Sequence, residues 1–90
     1  MPTVLRIDQR DNVGTALDDL EAGAPAQIQG PGELPSVTPR MAIAFGHKVA
    51  LQPIAAGAPV LKYGEVIGQA VAAIAVGEHV HVHNIQSLRA

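Results

Sequence analysis

Ninety residues with a net charge of −2 allow one small domain, spanning 1–90, and leave no room for a second. Six Lys and Arg, with no basic run and no aromatic platform, exclude the electrostatic footprint of a nucleic-acid binder, and the lack of cysteine excludes a disulfide scaffold and thiolate metal sites. Hydrophobic content is 48%, yet Phe45 and Tyr63 are the only aromatic side chains, so the core must be built from Val, Ile, Leu and Ala. Such side chains each bury little surface, at roughly 25 cal/mol per Å² of apolar area. The expectation is an association that covers more of it, either a homo-oligomer or a larger partner subunit.

In chain order, residues 3–7 are β-branched and apolar enough for a first strand. Asp11-Asn12 then precede Val13, Ala16, Leu17 and Leu20, and this i, i+3, i+4, i+7 spacing predicts one short helix near residues 12–21. Asp11 or Asn12 would cap it, Gly23 would end it, and the late acids Asp18, Asp19 and Glu21 would face water. A short strand is predicted over 25–29. Three prolines and two glycines crowd residues 30–39, a density that predicts an irregular loop within the domain.

From Met41 onward, short apolar runs alternate with Gly46, Gly57, Gly64, Gly68 and Gly77, which predicts brief strands in a compact, mainly β structure. Two segments share the pattern Ile-x-x-Gly-x-x-Val, at 54–60 and at 74–80, so Gly57 and Gly77 are expected in equivalent tight turns with positive φ. The N-terminus lacks a basic-then-apolar leader pattern and no apolar run reaches membrane-spanning length, so a cytoplasmic protein without a membrane partner is expected.

Chemistry is concentrated in three places. His79, His81 and His83 recur every two residues, so a strand would turn all three imidazoles to one face and Val80 and Val82 to the other. Along a straight strand neighbours stand about 6.6 Å apart and the outer pair about 13 Å. Metal–imidazole bonds are only about 2.1 Å long. Two adjacent histidines can therefore meet on one ion, whereas three cannot do so without strain. An anion site with Asn84, a proton carrier, or a merely solvated His-rich face are the other readings. Gly46-His47-Lys48 sets a proton carrier beside a cation, though a strand would face them oppositely. Lys62-Tyr63-Gly64 could hold a carboxylate, against the plainer reading of Tyr63 as a half-buried filler. No Ser-His-Asp arrangement, phosphate loop or dinucleotide fingerprint is present, and the C-terminal half holds only Glu65 and Glu78 as acids. A complete active site from this chain alone is not expected.

Three ordered blocks carry a resemblance: Ala44-Phe45-Gly46-His47-Lys48-Val49-Ala50-Leu51, Val60-Leu61-Lys62-Tyr63-Gly64-Glu65-Val66-Ile67-Gly68, and Gly77-Glu78-His79-Val80-His81-Val82-His83-Asn84. Together with Asp11-Asn12-Val13 they resemble the small N-terminal, SAF-type domain of the altronate/galactarate dehydratase family, which includes the alpha subunit of sulfolactate sulfo-lyase. The resemblance implies a β-clip fold. It further implies the small subunit of a lyase that eliminates water or sulfite from a small hydroxy acid such as altronate, galactarate or sulfolactate. A separate large catalytic subunit would complete the enzyme, and a divalent metal (iron, manganese or magnesium) would be shared with it. Within that reading His47 and His83 are expected as catalytic, Lys48, Lys62, Tyr63 and Asn84 as substrate-binding, and His81 and His83 as metal ligands. The alternative is a stand-alone ligand-binding or structural module without catalysis.

Overall fold

The computed structural model describes residues 1–33 and 35–87. Strand β1 (Thr3–Leu5) pairs antiparallel with β2 (Val13–Ala16) on one side and parallel with β3 (Ala26–Gln29) on the other. Outward from these lie β4 (Ser36–Val37) next to β3, and β5 (Lys48–Ala50) next to β2, with β8 (His79–Val80) on the far edge of β5. The six-stranded order is β4-β3-β1-β2-β5-β8. A second, three-stranded antiparallel sheet sets β7 (Glu65–Ala70) between β6 (Pro59–Lys62) and β9 (Ile85–Ser87). The mainly β expectation therefore holds. Among the described residues no helix is long and apolar enough to cross a membrane.

The helix expected near residues 12–21 does not form; Val13–Ala16 is a strand, and bends follow it. Its apolar positions do not share one face. Val13 enters one apolar cluster with Ile54, Val60, Ile74 and Val80, whereas Ala16 and Leu20 enter another with Val4, Ile43 and Val49. The spacing that mimicked a helical stripe comes from a strand buried on both faces, followed by bends and the Leu20 bridge. The backbone groups are also claimed across strands: Ala16 N–H bonds His47 O at 2.8 Å, Leu17 N–H bonds Thr3 O at 2.9 Å, and Leu20 N–H bonds Ile43 O at 2.8 Å. Gly14 is required by close approach, because a Cβ there would run into Val4 Cγ1 of β1.

Asp11 and Asn12 cap nothing helical. The buried Asp11 carboxylate accepts the N–H groups of Asp8 (3.0 Å), Tyr63 (3.1 Å) and Gly64 (2.8 Å), while the Asn12 side chain donates to Pro59 O and accepts from Leu61 N–H. These two residues fasten the second sheet's hairpin to the first sheet. Asp18 and Asp19 do face solvent, but each also accepts a backbone N–H, from Thr3 and Phe45. In the Pro/Gly-rich stretch a two-residue strand, β4, survives against β3.

Gly57 and Gly77 occupy equivalent turns as expected, each with φ 85°. The structure extends the pattern to four units: Leu20-x-x-Gly23-x-x-Ala26, Ile43-x-x-Gly46-x-x-Val49, Ile54-x-x-Gly57-x-x-Val60 and Ile74-x-x-Gly77-x-x-Val80. In each, an apolar residue forms a bridge (Leu20 with Ile43, Ile54 with Ile74), glycine takes positive φ in a turn, and the chain leaves into a strand. Each turn closes with an i→i+3 bond, for example His47 N–H to Ala44 O at 3.0 Å and Glu78 N–H to Ala75 O at 3.0 Å. Glycine at the third turn position is the type II signature. One pair of units seals each core cluster, and β2 and β5 lie between, sending alternate side chains to the two.

Candidate functional site

Strand β5 opens at Lys48, with His47 immediately before it, and edge strand β8 delivers His79; the register pairs Lys48 with Val80 and Val49 with His79. Extended by one residue, that register sets His47 directly opposite His81, where opposed Cβ atoms stand about 5 Å apart. The ring centroids of His47 and His81 are accordingly 4.4 Å apart and nearly parallel. His79 completes the group, at 5.0 Å from His47 and 5.3 Å from His81. His47 Nδ1 lies 2.9 Å from His79 Nε2, an N–H···N bond that requires at least one of the two rings to be neutral. One ring nitrogen from each of His47, His79 and His81 lies within 4.8 Å of the others, and all three side chains are half-buried.

The strand expected through Asn84 stops at Val80. Residues 81–84 turn instead, because the Asn84 side chain accepts from His81 N–H at 2.9 Å and donates to His79 O at 2.8 Å. That turn brings His83 to 5.3 Å from His79, ring to ring, and leaves Val82 80% exposed. Asn84, expected at the substrate, is buried with both ends of its amide engaged in shaping the turn. Met41 Sδ accepts the His79 N–H at 3.2 Å, behind the cluster.

Burial holds the His79 and His81 imidazoles below the usual histidine range, and neighbouring cations push the same way: His47, His83 and His81 on His79, and His47, Lys48 and His83 on His81. Burial likewise lowers Lys48, helped by Lys62. The two lysines expected at a carboxylate thus lie close enough to sense one another and, through Lys48, the histidines. Tyr63 is no core filler. It is 59% exposed at the tip of the β6–β7 hairpin, with φ 59° followed by Gly64 at 70°, and the Lys62 ammonium stands 5.1 Å from its ring centroid. From intra-strand spacing the sequence set His81 and His83 as the pair for one ion; the structure brings ring nitrogens of His47, His79 and His81 within 4.8 Å of one another instead. The missing information is the β5–β8 register, a pairing of segments about thirty residues apart.

Residues 2–88 match the family described as the altronate/galactarate dehydratase SAF domain. The chain is 46% identical over 83 residues to altronate dehydratase of Escherichia coli (strain K12), which covers 92% of this chain and 16% of that protein. It is 38% identical over 87 residues to altronate dehydratase of Bacillus subtilis (strain 168), covering 97% of this chain and 17% of the other. A third relative is the (2R)-sulfolactate sulfo-lyase subunit alpha of Paracoccus pantotrophus, 47% identical over 53 residues, 59% of this chain and 79% of that subunit. The chain therefore spans about a sixth of the length of the curated dehydratases it matches.

Proposed function

The chain belongs to the altronate/galactarate dehydratase SAF-domain family, and from that premise we propose that it is the small component of a lyase, completing with a large catalytic subunit a site for elimination from a small hydroxy acid. The observation that carries this reading is the convergence of all four histidines and Lys48 on one sheet edge, with Lys62 nearby. Dehydration is favoured over loss of sulfite, because the likeness to the dehydratases runs over nearly the whole chain.

The reaction breaks the C–H bond α to a carboxylate, leaves the electron pair in an enediolate, and expels a β-hydroxyl that must be protonated as it departs. Lys48 and Lys62 would bind the carboxylate as point charges. His83, at the exposed end of the row, would take up the α-proton and deliver it to the β-hydroxyl, which departs as water. Tyr63 at the hairpin tip would pack on the substrate, and Asn84 would act by holding the His79–His83 turn. His47, read from sequence as a proton carrier, would join His79 and His81 in a donor set. An ion held there would supply Lewis-acid stabilisation of the developing enediolate. The donor atoms fit such an ion, being three imidazole nitrogens within 4.8 Å of one another. Imidazoles suit iron far better than magnesium, which prefers oxygen ligands.

The test is reconstitution. Mixed with the large subunit of an altronate dehydratase, the chain should co-purify with it and raise turnover of altronate. His83→Ala should lower kcat about 100-fold or more while the complex persists. Lack of a complex together with unchanged turnover would sink the reading.

A further inference from the structure

We propose that His47, His79 and His81 form a three-imidazole site that binds one borderline divalent transition ion, of the zinc, cobalt or iron(II) type, without help from any partner subunit. This deepens the lyase reading at the same residues but does not require it to be correct. His47 precedes β5 and His81 follows β8, one residue beyond the pairing of Lys48 with Val80, and His79 lies on β8 itself, so the paired strands bring the three rings together at their ends. Regular sheet pairing needs no such group; a directly opposed pair of this kind is costly whenever both rings carry charge. Asn84 fixes where His81 begins its turn, and Met41 meets the backbone of His79, so two of the three ligand positions are held from behind.

The distances are compatible with an ion. Two nitrogens bound at about 2.1 Å in tetrahedral geometry stand about 3.4 Å apart. His47 Nδ1 and His79 Nε2 start at 2.9 Å, and the widest separation in the group is within 4.8 Å, so the rings must turn from their stack by about an ångström. Half-buried side chains can make that adjustment, which also directs the lone pairs to a common point. Three neutral nitrogen donors with no carboxylate among them select borderline ions and disfavour magnesium and calcium. His83 stands outside the set, its ring 5.3 Å from that of His79.

The experiment is calorimetric titration of the purified, chelator-treated full chain with ZnCl2, CoCl2 and MgCl2, together with the visible spectrum of the cobalt form. One Zn²⁺ or Co²⁺ per chain is expected, with Kd in the micromolar range (about 1–10 µM) and Mg²⁺ at least about 100-fold weaker. Cobalt should give a d–d band indicating nitrogen ligation. His79→Ala and, separately, His81→Gln should each weaken zinc binding about 10-fold or more, with the fold verified by amide NMR, whereas His83→Ala should leave it within about twofold. No binding at millimolar zinc, or equal weakening by His83→Ala, would overturn the site. Turnover with the large subunit in the reconstitution above is a separate result, so either conclusion can fail while the other stands.

Discussion

Asp11 accepts three backbone N–H bonds while fully buried, and its contribution is stability, not chemistry. Hydrogen bonds to a charged acceptor contribute about 1.5–3 kcal/mol each, and removal leaves buried donors unpaired. Asp11→Ala is therefore expected to lower the urea-derived unfolding free energy by about 3 kcal/mol and to loosen the Tyr63-Gly64 turn in amide exchange. The histidines make a different residue-scale statement. Because the folded pKa values of His79 and His81 lie below the unfolded histidine value of 6.5, the unfolded chain binds more protons as pH falls through that window. Their share of stability is complete above 6.5 and is lost as pH drops through the depressed folded values. The melting temperature of the chelator-treated protein should thus fall between about pH 7 and pH 5, and less so in His79→Gln. Asp8 titrates in a separate window: its hydrogen bond to the Arg10 side chain lowers its pKa from 3.8, so that contribution is lost only in stronger acid. Lys48→Gln removes one cation beside His81, and an upward shift of the His81 pKa in an NMR titration is the expected outcome.

Among elements, the four glycine turns share one conformation but not one environment. Gly46 has φ 86° with open space around a would-be Cβ, so Gly46→Ala meets only the left-handed backbone cost of about 1–2 kcal/mol. Gly77 has the same φ, 85°, but its Cβ would collide with Thr38 O. Gly77→Ala should cost clearly more than Gly46→Ala in the same denaturation series, and comparable losses would contradict the packing described. The β6–β7 hairpin shows the opposite choice. Both of its turn residues have positive φ, the type I′ geometry that favours Asn-Gly, yet the first is Tyr63. A bulky side chain held there stores about 1–3 kcal/mol of strain, which tends to mark functional positions. Tyr63→Asn is expected to raise the unfolding free energy by about 1 kcal/mol while raising KM in the reconstituted lyase.

For the whole molecule, the histidine edge is flanked in sequence by apolar residues that the fold leaves uncovered: Phe45, 65% exposed in the turn before His47, and Val82, 80% exposed between His81 and His83. Burying a side chain of this kind stabilises an interface by about 1.5–3 kcal/mol. Phe45→Ser combined with Val82→Ser should weaken co-purification with the large subunit at least about 10-fold while leaving the isolated chain folded. The core, built mainly of Val and Ile with some Ala and Leu, is divided into two small apolar clusters.

The sequence by itself determined the mainly β character, the glycine turns at 57 and 77 and the family. These depend on local rules: which residues tolerate positive φ, which suit short strands, and how side chains alternate. It misled over residues 12–21, because a short strand buried on both faces, followed by bends, reproduces the apolar spacing of a helix. Nothing in Asp11-Asn12 indicated that their side chains would be taken up by residues 59–64, some fifty positions on. The tertiary structure alone decided that His47 faces His81 and that Asn84 folds His83 back to His79. The first depends on pairing strands about thirty residues apart, whose register is fixed by the two apolar clusters closing together; the second depends on side-chain bonds of Asn84 to His81 N–H and His79 O, which become visible only in the folded turn.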